Sequence, residues 1–339
     1  MGFVVGILFH PVNFVSRTAA VFPSTAARRS AELAAMQKFL SILAVALAPV
    51  LPLAAQNLAG DEVLSKVLIE GEGWQEVAGG FGMTDGACSD AEGNVYFSDL
   101  PKATLHKVGL DGKVSVFLEG GPKVSGLKFG PDGRLYACTQ GPGKKQVIAI
   151  ALPDKKISVL ADDVQPNDLA VSAQGFVYFT DTGKGQVVGI DVKAGKVFTA
   201  ATKLNAPNGI SLSPDGGTLG VSEYRGSNVW TYRVKADGTL DAGAPYMTLR
   251  TPAPRTPTNR VESAGDGMTV DAMGRWYVTS ALGVQMFDWT GRMGGVIARP
   301  QNKGTVSVAF GGPKLEYLYA CSSDKLYRRK MQTPGKNLF

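Results

Sequence analysis

Residues 167–181 read NDLAVSAQGFVYFTD: a polar residue opens a short apolar strand, a Gly-containing turn follows, and a second strand carries an aromatic at its centre. Five other segments repeat the pattern. They are DGACSDAEGNVYFSD from Asp85, SGLKFGPDGRLYACT from Ser125, NGISLSPDGGTLGVSE from Asn208, DGMTVDAMGRWYVTS from Asp266 and SVAFGGPKLEYLYACS from Ser307. Their second strands align at Tyr96, Tyr136, Tyr178, Gly220, Tyr277 and Tyr319, with spacings of 40, 42, 42, 57 and 42 residues. Between them run further pairs such as TLHKVGLDGKVSVFL from Thr104 and QVVGIDVKAGKVFTA from Gln186, where DG and AG supply the positive φ of a hairpin turn. Each repeat is therefore a four-stranded antiparallel unit, and units of ~40–45 residues with four strands are propeller blades. The sequence predicts an all-β fold, a six-bladed β-propeller with four-stranded antiparallel blades and a central metal site, in one domain over 62–332. The last repeat runs out near Lys330, so the ring is expected to close through a strand around Val67–Val77. No long amphipathic helix separates successive strands outside the leader, which excludes a parallel α/β fold.

If the first strand of each segment is the innermost of its blade, its opening residue lies 11 or 12 positions before the aligned Tyr or Gly. These openers are Asp85, Ser125, Asn167, Asn208, Asp266 and Ser307, and six of them converge on one mouth of the channel. All offer oxygen; none offers sulfur or imidazole. Two carboxylates and two amide carbonyls form a hard-oxygen set suited to one divalent cation, Ca²⁺ first, with Mg²⁺, Mn²⁺ and Zn²⁺ as alternatives. Any single Asp-Gly or Asn-Gly is an ordinary turn dipeptide; six polar residues in one register are harder to explain that way.

Other chemistries find little to build with. The two histidines are His10, in the leader, and His106, which excludes a Ser-His-Asp hydrolase and a His-ligated zinc enzyme. Cys88, Cys138 and Cys321 lie in apolar strand-like runs without CxxC spacing and read as buried free thiols. The formal charge is +6, and Arg17, Arg28, Arg29 and Lys38 against Glu32 place +3 of it in the first 55 residues. What remains gives no footprint for nucleic acid.

From Met36 the chain reads MQKFLSILAVALAPVLPLAAQ: Lys38, an apolar run over Phe39–Leu53, then Ala54 and Ala55. This is a secretory signal pattern, so 36–55 is expected to be a signal peptide and 1–35 an upstream extension or mis-assigned start. The mature protein would begin near Gln56 and be exported, periplasmic or secreted, as a monomer. The apolar run falls short of the ~20 residues of a spanning helix, so no membrane span is expected in it. The long 57-residue interval holds TPAPRTPTNRVESAG, from Thr251 to Gly265, leading into Asp266. A loop of this length reads either as a solvated linker or as a lid whose Arg255 or Arg260 attracts an anionic substrate group.

Over about residues 65–330 the chain resembles the SMP-30/gluconolactonase/LRE-like family. The likeness rests on PNDLAV with Asn167, PNGISLSPDG with Asn208, DGMTVDAMGRWYV with Asp266 and TVSVAFGG in the last blade. It implies a divalent metal held by a Glu, two Asn and an Asp, and hydrolase activity on small-molecule lactones or certain phosphoesters. Position by position, Asn167, Asn208 and Asp266 match the family's metal residues. Asp85 stands where the family usually has Glu, which shortens its reach by ~1.3–1.5 Å. Gln165 stands where some sugar-lactonase members place a substrate-contacting Arg, and Ser125 where many bacterial relatives have Asn.

In that reading the metal polarises the lactone carbonyl, and Asp266 orients or deprotonates the attacking water, with Asp168 as the spare candidate. Ser125, Asp168, Arg255 and Arg260 stand on the substrate side. The alternatives are a phosphotriesterase-like hydrolase on the same ligands and a non-catalytic propeller whose metal staples a binding platform.

Overall fold

The computed structural model describes residues 58–59, 64–143, 145–253 and 262–337; the expected extension (1–35) and signal peptide (36–55) lie outside them. Six antiparallel sheets form the blades: five are built on four consecutive strands in order of radius, and the sixth on the last three strands of the chain plus one from its beginning. Their innermost strands are Thr84–Ser89, Lys123–Phe129, Pro166–Val171, Pro207–Leu212, Met268–Val270 and Thr305–Gly311. Each of these touches the innermost strands of the two neighbouring blades, and the sixth touches the first, so the ring closes. Among the described residues, no helix is long and apolar enough to cross a membrane.

Closure is by strand exchange at the ends of the chain. Gln75–Gly79 pairs antiparallel with Lys325–Lys330 and completes the sixth blade from outside. This strand begins later than the expected Val67–Val77: Gly71, at φ +78, breaks the backbone ahead of it, and Leu68 makes only an isolated bridge to Met331. Leu58–Ala59 adds a fifth strand to the rim of blade five, against Val296 and Gly295.

Burial explains why the strands read as continuous apolar runs. Each sheet is covered on both faces by its neighbours, so second strands such as Val95–Asp99 are buried throughout, whereas the outermost Val114–Leu118 is open to solvent along much of its length. Tyr136, Tyr178 and Tyr277 fill the space between blades, and the Tyr178 hydroxyl donates to Gly238 O at 2.7 Å. Gly220 is the exception because the next blade sends Trp276 into that place: a Cβ at 220 would lie 2.7 Å from the indole. Cys88, Cys138 and Cys321 are buried and free, as expected.

One repeated feature staples the blades together. Every second strand carries a buried hydroxyl two or three positions beyond its aligned Tyr or Gly: Ser98, Thr139, Thr180, Ser222, Thr279 and Ser322. Four of them donate to the innermost strand of the next blade: Ser98 to Val124 O (2.7 Å), Thr180 to Asn208 O (2.6 Å), Ser222 to Asp266 O (3.0 Å) and Thr279 to Val306 O (3.1 Å). Thr180→Val keeps the shape and removes the donor for the Asn208 carbonyl. It is expected to lower the unfolding free energy by about 1–3 kcal/mol, read as a lower urea midpoint at unchanged slope.

Candidate functional site

The ladder registers fix which residues are equivalent around the ring. Cys88, Lys128, Ala170, Ser211, Thr269 and Ala309 pair with the aligned residues of the second strands. Three positions earlier stand Asp85, Ser125, Asn167, Asn208, Asp266 and Val306. Five of the six expected openers are thus brought to one level, and the sixth is corrected. In blade six, Phe310 pairs with Leu318, a hairpin two residues longer than that of Phe129 with Leu135 in blade two. Counting 12 back from Tyr319 therefore stops one residue short of Val306, and Ser307 sits one place further along the strand.

That next place holds Gly86, Gly126, Asp168, Gly209, Gly267 and Ser307. The Asx-Gly pairs are not turns: the innermost strands nearly touch there. A Cβ on Gly209 would lie 2.0 Å from Asp266 O and 2.8 Å from Gly267 Cα, and one on Gly267 2.7 Å from Val306 O. Where a side chain does occupy this register, it bonds the adjoining blade. Ser307 Oγ accepts the Ala87 N–H at 2.9 Å. Asp168 Oδ2 accepts the Ile210 N–H at 3.3 Å, while its Oδ1 accepts that of Leu169 at 2.8 Å.

The openers are placed differently. Asp85 Oδ1 accepts the Gly86 N–H at 2.8 Å and Asp266 Oδ1 that of Gly267 at 2.9 Å; in the described residues the second oxygen of each takes no hydrogen bond. Asn208 is buried, and its Oδ1 has no partner. Ser125 Oγ donates to Asn167 O at 2.5 Å and accepts from Gln140 Nε2 at 2.9 Å, so its hydroxyl is fixed between two blades.

Asp85, Asp168 and Asp266 are each only partly exposed, and protein surrounds them. Burial pushes Asp85 up to about 8 against the pull of the Gly86 amide, and the charge on Asp168 adds to the rise. Burial raises Asp168 to about 6, opposed by Lys128 and the amides of Leu169 and Ile210. Asp266 is held well above the ordinary range by burial, then by the charges on Asp85 and Asp168. Three carboxyl groups that repel one another, beside an orphaned amide oxygen, form a site that lacks positive charge.

The residues present therefore fit a hard divalent cation. Among the described residues no three of His, Cys, Asp and Glu gather to hold a metal, so any such set depends on the amide oxygens of Asn167 and Asn208 as well as on Asp85 and Asp266. Asn208 also lines a cleft of about 560 Å³ with Thr182, Gly183, Tyr224, Arg225 and Glu262.

Residues 83–324 match the SMP-30/gluconolactonase/LRE-like region. The chain belongs to the SMP-30/gluconolactonase/LRE-like family. It is 26% identical over 276 residues to a gluconolactonase of Zymomonas mobilis, covering 71% of this chain and 76% of that one. It is also 26% identical over 241 residues to a pentonolactonase of Haloferax volcanii, covering 68% and 78%. Two solved structures share the fold. A gluconolactonase from Xanthomonas campestris superposes with TM-score 0.67 at 22% identity, over 82% of this chain and 98% of its own. Regucalcin from Agrobacterium tumefaciens, described as a calcium-binding protein, gives 0.62 at 16%, over 82% and 96%.

Within this SMP-30/gluconolactonase/LRE-like propeller, several features escaped the sequence reading. Asp99, Asp181 and Glu223 follow the hydroxyl ring directly, are buried, and accept loop amides: Gly82 N–H on Asp99 at 3.0 Å, Lys184 N–H on Asp181 at 3.1 Å and Asn205 N–H on Glu223 at 2.8 Å. Their signal was the recurrence of FSD, FTD and VSE at strand ends. The expected lid arginines, Arg255 and Arg260, lie outside the described residues.

The raised carboxyls contribute a pH dependence to the stability of the cation-free protein. A folded pKa above the unfolded value near 3.8 disfavours the charged form in the fold. The resulting cost is absent below about pH 4 and grows with pH, to about 6 for Asp168 and about 8 for Asp85. Protein kept in a chelator is therefore expected to melt at a lower temperature at pH 8 than at pH 5, and saturating Ca²⁺ should remove most of that difference. Thermal melts at the two pH values, with EDTA and with Ca²⁺, check this.

Proposed function

We propose that the chain is a lactonase, a carboxylic-ester hydrolase that opens a small sugar-type lactone at a divalent-cation site formed by Asp85, Asn167, Asn208 and Asp266. The observation that carries the reading is the buried, partnerless Oδ1 of Asn208 beside two carboxylates that each keep an oxygen free. Ca²⁺ is the favoured ion because every donor is oxygen and two of the four are neutral amides. When bound, the cation supplies Lewis-acid polarisation of the lactone carbonyl and stabilises the negative charge that develops on its oxygen.

The chain's own groups do the rest. Asp266, with Oδ1 fastened to the Gly267 amide, presents Oδ2 to orient the water that attacks the acyl carbon. Asp168 is less suited to that task, because both its oxygens already accept backbone N–H groups; it braces blades three and four beside the substrate. Ser125, locked by Asn167 O and Gln140, offers a fixed hydroxyl to the substrate. Water adds to the acyl carbon, the ring C–O bond breaks, and the released alkoxide takes the proton, leaving a hydroxy acid.

We also propose that the protein is exported after cleavage near Gln56, on the strength of the Lys38 and Phe39–Leu53 pattern; fractionation and N-terminal sequencing of the product check this. A panel of aldonolactones and a phosphotriester, presented to the Ca²⁺-loaded protein, tests the activity. Turnover of the lactones is expected, and turnover of the phosphotriester alone would overturn the reading.

A further inference from the structure

The wall of the cleft beside Asn208 is made by the turn between two strands of blade four, Thr218–Glu223 and Asn228–Val234. That turn is fastened at several points. Ser263 is fully buried, and its Oγ donates to Gly226 O at 2.6 Å and Glu223 O at 3.1 Å. Ala264 N–H donates to Tyr224 O at 3.0 Å, and Tyr224 N–H to Ala206 O at 2.9 Å. Glu223, itself buried, holds the Asn205 amide from below. Tyr224 and Arg225 are thus presented by a rigid frame, with the Tyr224 side chain 37% exposed.

Arg225 is the only cation among the described residues lining the cleft. Its ion-pair partner is Glu262, at 3.9 Å, with the two side chains 65% and 35% exposed. A pair this open and this long contributes little to stability. The guanidinium can therefore exchange it for another carboxylate or a phosphate, whose oxygens its planar fork matches in two hydrogen bonds. Glu262 occupies the place that an anionic ligand group would take. The cleft also exceeds what a bare lactone ring needs and has room for a polyol chain beyond the ring.

Resting on the lactonase reading, we infer that the substrate is a lactone carrying a second, anionic group remote from the ring carbonyl. Arg225 recognises that group in place of Glu262, and the Tyr224 ring covers the adjoining carbon chain. Arg225 is a specificity residue here: it takes no part in the bond changes, and its effect falls on KM.

The test compares three lactones of one carbon skeleton on the Ca²⁺-loaded full chain: neutral glucono-1,5-lactone, the carboxylate-bearing glucaro-1,4-lactone and 6-phosphoglucono-1,5-lactone. The wild type is expected to favour one of the anionic lactones over the neutral one by about tenfold or more in kcat/KM, and which of them wins identifies the anion. In Arg225→Gln that preference should fall by about 10- to 100-fold, through KM, as loss of a charged hydrogen bond dictates. An anionic-to-neutral ratio that is the same in Arg225→Gln as in the wild type would overturn the inference, as would a wild type that prefers the neutral lactone. Calorimetric titration with the open-chain dianion glucarate reads the subsite without turnover. Arg225-dependent glucarate binding with no lactone hydrolysed would remove the lactonase reading while leaving the anion site; turnover with an unchanged ratio would remove only the anion site.

Discussion

Asp266→Asn is expected to lower lactone turnover by about 10²–10⁴-fold, the range for losing a positioned carboxylate at the reacting centre, while the fold survives. The substitution keeps the volume and the bond to the Gly267 amide, and it deletes a charge that burial and the neighbouring Asp85 and Asp168 all disfavour. In the presence of chelator at pH 8 the variant should therefore melt at a higher temperature than the wild type. Turnover and thermal melting of the same preparations separate the two effects. A variant that loses activity and also unfolds in chelator would mean that Asp266 serves structure and not chemistry.

Gly209→Ala is expected to be strongly destabilising. The new Cβ would stand 2.0 Å from Asp266 O and 2.8 Å from Gly267 Cα. Both are backbone atoms of an innermost strand that blade six holds on its other side through the Gly267 N–H to Val306 O bond of 2.8 Å. Neither can give way without moving the strand, so the cost should exceed about 4 kcal/mol, the level that marks a named steric failure. Gly304→Ala is the control: nothing lies within 4 Å of its Cβ position and its φ is ordinary, so it should stay within about 0.5 kcal/mol of the wild type. Urea unfolding of the two variants checks the contrast.

The blades were legible because each is a local unit: an apolar strand pair around a Gly-containing turn recurs in every repeat, with a buried tyrosine at the aligned position in five of the six. Where the reading slipped, the information was not local. Ser307 was placed one residue off because hairpin length varies between blades, and only pairing shows that Phe310 meets Leu318. The break in the tyrosine series at Gly220 follows from Trp276, which belongs to the next blade.

The candidate site shows the same division. Asp85, Asn167, Asn208 and Asp266 could be picked out because they share a register. The reason for the glycines beside three of them could not, since it lies in the approach of strands far apart in sequence. The four hydroxyl staples stood in the repeats as FSD, FTD, VSE and VTS, and went unread because Ser and Thr are common at strand ends. Tyr224 and Arg225 follow no repeat at all; only the hold of Ser263 on their turn brings them to the cleft.

The most direct test of the account is the rate of glucono-1,5-lactone opening by the mature protein, stripped with EDTA and then titrated with Ca²⁺. Turnover that vanishes on stripping and returns in proportion to one equivalent of bound Ca²⁺ is the predicted result. Full turnover in the stripped protein, unchanged by any added divalent cation, would contradict it.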